Sequence, residues 1–314
     1  MYIKLKDNKS NIKKPVSRGD ALLHKDNSNK VNNSKEGDVM ALAKKDVLSI
    51  PPSTSIQTAS EIMIKHGFRR LPITDSGSGK LLGIVTAMDI LNFLGGGDKF
   101  NIIEKKHDDN FLSAINDSVR TIMTTDIISM DQSASLNEAI EKMLDEGIGS
   151  IPVLNEKHNI VGIITERDVA LSMAGVLTDE LVKDIMIEDV ITTTPGTPIE
   201  SSTKIMVRNN LRRIPVVSGN KLVGIITSTD VLRFIGDKEV YSNMTSNSGL
   251  SVLENNISEI MQPNISVIEP YMRLGDLCEL FKEKNIGGAP VVKNDELVGI
   301  ITERDVLNTV LSLK

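Results

Sequence analysis

Residues 211–232 read LRRIPVVSGNKLVGIITSTDVL, and the fold turns on them. RIPVV and KLVGIIT are β-branched runs on either side of a Gly219-Asn220-Lys221 turn, the pattern of a hairpin. STDVLRFI then opens a helix. Upstream, VITTTP (190–195) is a short β-rich run ended by proline. PIESSTKIMVRNNL (198–211) carries apolar residues at helical spacing, with Pro198 near its start. The unit therefore reads β–α–β–β–α.

The same frame recurs four times. FRRLPI precedes GIVTAMDIL, IGSIPVL precedes GIITERDVA, and IGGAPVV precedes GIITERDVL. The prolines are Pro72, Pro152, Pro215 and Pro290. Each is followed by Gly83, Gly162, Gly224 or Gly299, at a distance of 11, 10, 9 and 9 residues. The glycine-to-aspartate distance is six in all four copies, so only the hairpin turn varies in length. Twenty-nine residues before each proline sits Ala43, Met123, Met186 or Met261. The copies also alternate. The first and third carry Arg-Arg before the proline dipeptide; the second and fourth carry glycine there and Glu-Arg before the aspartate. A pair of unequal units was itself doubled. Units this small gain stability by burying a shared face.

In Gly-x-x-Thr-x-x-Asp the threonine ends a strand and the aspartate falls three residues into the next helix. One reading is a capping box, in which Thr caps the helix and Asp returns a bond to the cap N–H. A second uses the same atoms. A helix start offers N–H groups to an anion, and a carboxylate there can accept from the two hydroxyls of a ribose. The glycine lets another backbone or a base approach closely. Arginines recur beside these motifs: Arg70 and Arg213, each next to Arg69 or Arg212, and Arg167 and Arg304 directly before Asp168 and Asp305. A guanidinium fork suits phosphate, although a surface ion pair or a snorkelling stem would also account for a single arginine.

Here the units resemble CBS domains, named for cystathionine β-synthase, two of which form a Bateman module. The resemblance covers about residues 39–314. With the NFLGGGDKFNIIEKKH stretch, the chain is similar to archaeal four-CBS proteins likened to the γ subunit of AMP-activated protein kinase. It implies an α/β (α+β) fold of four β-α-β-β-α units in two modules. The expected division is 39–97, 119–178, 179–240 and 257–314, with linkers at 98–118 and 241–256 and a basic, disordered tail at 1–38. It further implies that Asp89, Asp168, Asp230 and Asp305 contact ribose, with Thr86, Thr165, Thr227 and Thr302 beside ribose or phosphate. Arg70 and Arg213 are expected on phosphates, as are Arg167, Arg304 and Thr229; Met88 departs from that pattern. A first-strand hydroxyl matches Ser49, Ser129 and Thr192, whereas the fourth unit has Val267. Ser150 and Gly288 replace the pre-proline arginine in the second and fourth units. Four unequal sites, with fewer than four filled at once, are the expectation.

Composition bounds the rest. Of 314 residues, 40% are hydrophobic and 25% charged, ordinary for a globular protein. Aromatics at 3%, with no Trp, argue against base-stacking platforms, and a net charge of −6 gives no global basic footprint for nucleic acid. That charge conceals a tail of +4 on a body of −10. The tail reads as a solvated extension or a weak electrostatic tether. Cys278 stands alone, and His24, His66, His107 and His158 show no ligand spacing, so no disulfide or metal site is expected. No segment reads as a transmembrane helix or secretory signal. Neither a catalytic constellation nor an additional catalytic domain remains, so the chain is not expected to be an enzyme. The expectation is a cytoplasmic sensor of AMP, ADP or ATP that regulates an unknown partner. An S-adenosylmethionine-type ligand and a ligand-free adaptor are the alternatives. The two modules either close into a pseudo-symmetric disc or pair with a second copy as a homodimer.

Overall fold

The structure is a computed structural model, and it describes residues 37–108, 110–236 and 253–312. The basic tail at 1–36 and most of the second linker lie outside the described residues. Each unit is built on an antiparallel hairpin. In chain order these are β1 (Arg70–Thr74) with β2 (Leu81–Thr86), β4 (Ser150–Leu154) with β5 (Ile160–Thr165), β6 (Arg213–Ser218) with β7 (Lys221–Thr227), and β8 (Gly288–Lys293) with β9 (Glu296–Thr302). Register is the same in all four. The residue two before the proline lies opposite the motif threonine: Arg70 faces Thr86, Ser150 faces Thr165, Arg213 faces Thr227 and Gly288 faces Thr302. A bulge follows at the same place each time, and the variable proline-to-glycine spacing is absorbed in the turn.

The first strand of the unit is shorter than its β-rich sequence suggests. It is a two-residue strand, β3 (Met130–Asp131), in the second unit. Elsewhere it is a single parallel bridge: Ile50 with Ile73, Thr193 with Val216 and Ile268 with Val291. Proline explains the difference. Gln132 donates its N–H to Leu154 O at 2.9 Å, whereas Pro52, Pro195 and Pro270 occupy the matching position and have no N–H to donate.

The two units of a module exchange strand edges. The segment ahead of one unit bridges to the glycine-bearing strand of its partner: Lys44 to Ile163, Thr124 to Ile84, Ile187 to Ile300 and Gln262 to Ile225. This is why methionine and glycine repeat together. A Cβ on Gly299 would lie 2.7 Å from Met186 Sδ and 3.0 Å from Ile187 O. One on Gly83 would meet Met123 Sδ at 2.9 Å, and one on Gly224 would meet Gln262 O at 3.0 Å. Only glycine admits the neighbouring backbone.

The apolar interior runs across the modules. One cluster joins the first unit to the third, through Met63, Phe93, Phe111, Met206 and Leu232. The other joins the second to the fourth, through Ile140, Met143, Val169, Phe281 and Leu307. Helix Ile56–His66 packs on helix Ser228–Gly236, and helix Glu166–Ser172 on helix Glu303–Ser312. The apolar periodicity of these helices supplies the buried stripe. The two modules thus pack on each other within one chain.

Candidate functional site: four carboxylates and an arginine cluster

The full capping box forms in the first three units, the fourth keeps the bonds from Thr302 to Asp305, and in all four this fixes what the aspartate has left to offer. Asp89 Oδ2 accepts from Thr86 N at 2.8 Å and from Thr86 Oγ1 at 2.7 Å. Asp168 Oδ2 accepts from Thr165 N at 2.9 Å and Oγ1 at 2.5 Å, and Asp230 Oδ2 from Thr227 N at 2.9 Å and Oγ1 at 2.6 Å. Asp305 Oδ2 takes Thr302 N and Oγ1, both at 2.7 Å. Two donors fill the lone pairs of Oδ2, and each threonine has spent its proton. The cap and the ribose reading are therefore compatible, but only Oδ1 remains for a ligand.

The four Oδ1 atoms are not alike. Lys99 Nζ donates to Asp89 Oδ1 at 2.5 Å, and Gln262 Nε2 donates to Asp230 Oδ1 at 2.8 Å. Among the described residues Asp168 Oδ1 has only the exposed Lys44 ammonium at 3.7 Å, beyond hydrogen-bond range. Among the described residues nothing donates to Asp305 Oδ1. Burial raises the Asp305 carboxyl above its ordinary value, against the bonds from Thr302 and the charge of Arg213.

Two cavities adjoin these motifs. One of about 520 Å³ is lined by Thr86 and Asp89 on one side and by Thr302, Arg304 and Asp305 on the other, with Arg70 and Arg213 between. One of about 110 Å³ lies beside Thr165, between Lys44 and Arg70. Leu48 lines the smaller cavity and Ile128 the larger. The hydroxyl residues that follow them, Ser49 and Ser129, line neither, and nor does Thr192. Ser49 Oγ instead shares a hydrogen bond with Thr74 Oγ1 at 2.9 Å. Neither cavity is lined by Thr227, Thr229, Asp230 or Asp168.

The arginines converge where the modules meet. Arg69 Nη1 lies 3.2 Å from Glu303 Oε2 and Arg167 Nη1 lies 2.8 Å from Glu303 Oε1. The pseudo-symmetric half repeats this, with Arg212 paired to Glu166 Oε2 and Arg304 Nε 2.5 Å from Glu166 Oε1. The Arg304 contact is an ion pair whose angle is too poor for a hydrogen bond. Arg70 and Arg213 donate to the carbonyls of Gly149 and Gly287. Both residues are half-buried overall, yet their guanidinium groups are strongly desolvated. Desolvation, together with Arg212 and Arg69, pushes Arg70 down to about 9; desolvation and then Arg69 do the same to Arg213, also to about 9. Six guanidiniums converge on the two carboxylates Glu166 and Glu303, while Asp89, Asp126 and Asp305 line the larger cavity beside them. Such a cluster favours an anion.

Arg167 and Arg304, expected on phosphates, each line a cavity and also bond across the modules. Arg167 donates to Ile286 O at 3.0 Å and to Asn285 Oδ1 at 2.9 Å; Arg304 donates to Met143 O at 2.8 Å and Ile148 O at 2.9 Å. They tie one unit to the C-terminal end of a helix in the other module, where open carbonyls and the dipole favour a cation. Glu166, Glu303, Lys99 and Gln262 are the site residues that sequence reasoning missed. For the glutamates a signal existed, since Glu appears only in the units that lack Arg-Arg. Gly149 and Gly287 belong to the same device. A Cβ on Gly149 would lie 2.9 Å from Glu166 Oε2, and one on Gly287 would lie 2.7 Å from Glu303 Oε1.

Four hairpin units, paired by edge exchange and each ending in a Thr-Asp cap, define a tandem-repeat protein with ligand-sized clefts between units. The chain belongs to the CBS domain family, whose profile matches residues 37–96, 119–175, 182–237 and 257–312. Among its relatives is the uncharacterized protein MJ1225 of Methanocaldococcus jannaschii, 38% identical over 272 residues, covering 86% of this chain and 97% of the relative. The crystal structure of that protein, proposed there as an archaeal homologue of γ-AMPK, superposes with a TM-score of 0.81 and covers 86% of this chain and 99% of that one. A 33.4 kDa protein from the ribosomal RNA operon of Thermofilum pendens is 29% identical over 265 residues, 84% of this chain and 88% of the relative. A Pyrococcus horikoshii structure, 20% identical with a TM-score of 0.56 over 86% of this chain and 97% of its own, shares the fold. Among the described residues no helix is long and apolar enough to cross a membrane, and no group of three or more His, Cys, Asp or Glu is placed to hold a metal.

Proposed function

We propose that the chain is a regulatory sensor of adenine nucleotides. The observation that carries this is the desolvated, uncompensated pair Arg70 and Arg213 beside a cavity of about 520 Å³ that ends on the ribose-type acceptor Asp305. A phosphate placed among these arginines relieves their mutual repulsion, and a ribose supplies the hydroxyl donors that Asp305 Oδ1 lacks. The likeness to MJ1225, proposed as a homologue of γ-AMPK, supports the same ligand class. In this reading Asp305 and Asp168 take ribose, and Arg70 and Arg213 take phosphate, with Arg69 and Arg212 beside them. AMP, ADP and ATP share adenine and ribose, so the number of phosphates the arginines pair decides preference. The phosphates also compete with Glu166 and Glu303 for Arg212 and Arg69. A filled site therefore alters the contact between the modules, and a nucleotide shifts the protein by its differential affinity for the two arrangements.

Titration calorimetry with AMP, ATP, adenosine and S-adenosylmethionine tests this. Tighter binding of AMP and ATP than of adenosine is expected. Preference for S-adenosylmethionine, or no binding of any of the four, would overturn it.

A further inference from the structure

We infer that two of the four repeat sites are closed by the chain itself, Lys99 occupying the ribose carboxylate Asp89 and Gln262 occupying Asp230, so that the protein takes two nucleotides, at Asp168 and Asp305. This rests on the nucleotide reading above and decides which sites it applies to.

The argument is one of hydrogen-bond capacity. With Oδ2 saturated by its own threonine in every unit, a ribose must be held through Oδ1. Lys99 is directed onto Asp89 by the linker between the first two units. Its backbone N–H donates to Asn92 Oδ1 at 2.8 Å, and its ammonium donates both to Asp89 Oδ1 and to Ile122 O, each at 2.5 Å. That bond leaves Oδ1 one lone pair, so a ribose donating both vicinal hydroxyls there would have to replace a charge-assisted bond with a neutral one.

Gln262 is held still more firmly. Its backbone exchanges hydrogen bonds with Ile225 at 2.8 and 3.0 Å, which aims its side chain at Asp230. The equivalent edge positions in the other units are Lys44, Thr124 and Ile187. Ile187 faces the Asp305 site and cannot donate at all. Lys44 faces Asp168 but remains 3.7 Å away, with its side chain 59% exposed. The pre-proline positions differ as well. The pre-proline position of the facing unit is Ser150 on the Asp89 side and Gly288 on the Asp230 side, against Arg70 and Arg213 at the other two. Two independent side chains, one from a linker and one from a strand edge, thus occupy Asp89 and Asp230.

Equilibrium dialysis with AMP, and separately with adenosine, gives the test. The full chain should bind two equivalents. Lys99→Met should bind three, because the larger cavity already reaches Asp89 and only the ammonium stands in the way. Gln262→Ile copies the Ile187 arrangement and should also add one. Melting curves of both variants show that they fold. Three or four equivalents on the unaltered chain would overturn the inference, as would Lys99→Met remaining at two. Gln262→Ile remaining at two would overturn its Asp230 half. No AMP or adenosine bound by any form would instead sink the nucleotide reading itself, together with this consequence.

Discussion

Arg69 and Glu303, 234 positions apart, meet at 3.2 Å and tie the first repeat to the fourth. The Glu303 side chain is only 2% exposed, so the pair is removed from water. Burial by itself would raise the Glu303 carboxyl, but Arg69, Arg213 and Arg167 outweigh it and hold the carboxyl below its ordinary 4.5. A carboxylate depressed in the folded state contributes stability that is present above its unfolded value and lost as pH falls through its folded value. The melting temperature should therefore fall on acidification below about pH 4.5. Glu303→Gln leaves Arg69 and Arg167 without their counter-charge and should cost about 3–5 kcal/mol at neutral pH, with a flatter acid limb. Denaturant unfolding of both forms across pH measures this; an unchanged acid limb in the variant would remove Glu303 as its source.

Glycine at 288 has a different task. Its φ is +154°, and a Cβ there would lie 1.6 Å from Arg213 Nη1 and 2.7 Å from the backbone oxygen of Ile301. The arginine tip can swing aside, but the backbone oxygen cannot. Gly288→Ala should destabilise the fold by roughly 1–3 kcal/mol, and the displaced Arg213 should weaken AMP binding at the Asp305 site. Gly196 is the control, since nothing lies within 4 Å of its added Cβ and its φ is not positive. Gly196→Ala should be neutral or stabilising by about 0.4–1 kcal/mol. Urea midpoints for the two variants decide.

The repeat frame was legible because it is local. Thr302 donates to the carboxylate of Asp305 only three residues away, and Gly299 needs no topology to be recognised as a close approach. The charge cluster was legible only in part. Arg-Arg and Glu-Arg alternate visibly, but that Arg69 meets Glu303 and Arg212 meets Glu166 depends on the first unit packing on the third and the second on the fourth. The same packing gives Arg167 and Arg304, at the cavity edges, helix-terminal carbonyls as partners. Lys99 was not legible at all, because a linker lysine acquires meaning only once Asn92 has turned it toward Asp89. The family frame predicts four sites; of the side chains that distinguish them, Lys99 comes from outside it and Gln262 from a variable edge position within it.

Cys278 offers a check on the core that is independent of any ligand. It is fully buried in the cluster joining the second and fourth units, and burial pushes its thiol up to about 12. The thiolate is the reactive form, so the native thiol should be inert. Under native conditions an aromatic disulfide reagent should modify less than a tenth of the protein in the time that urea-unfolded chain reacts to completion. Rapid native labelling would show that the cluster opens without global unfolding.

Asp305 and Arg213 should separate the two halves of a nucleotide. Adenosine and AMP both carry the ribose, so Asp305→Ala should weaken both by a similar factor at that site. Only AMP has a phosphate, so Arg213→Met should weaken AMP about tenfold or more and leave adenosine within about twofold, the loss of one charge-assisted contact being worth about 1.5–3 kcal/mol. Acidification should act through the aspartate. Because burial raises the Asp305 carboxyl above 3.8, it loses its acceptor at a higher pH than an exposed aspartate would, and adenosine binding should fall with it. Calorimetry with both ligands from pH 7 downward tests the pair of claims. Equal losses of AMP and adenosine in Arg213→Met would place the arginine outside phosphate recognition, and an acid profile unchanged by Asp305→Ala would do the same for the carboxylate and ribose.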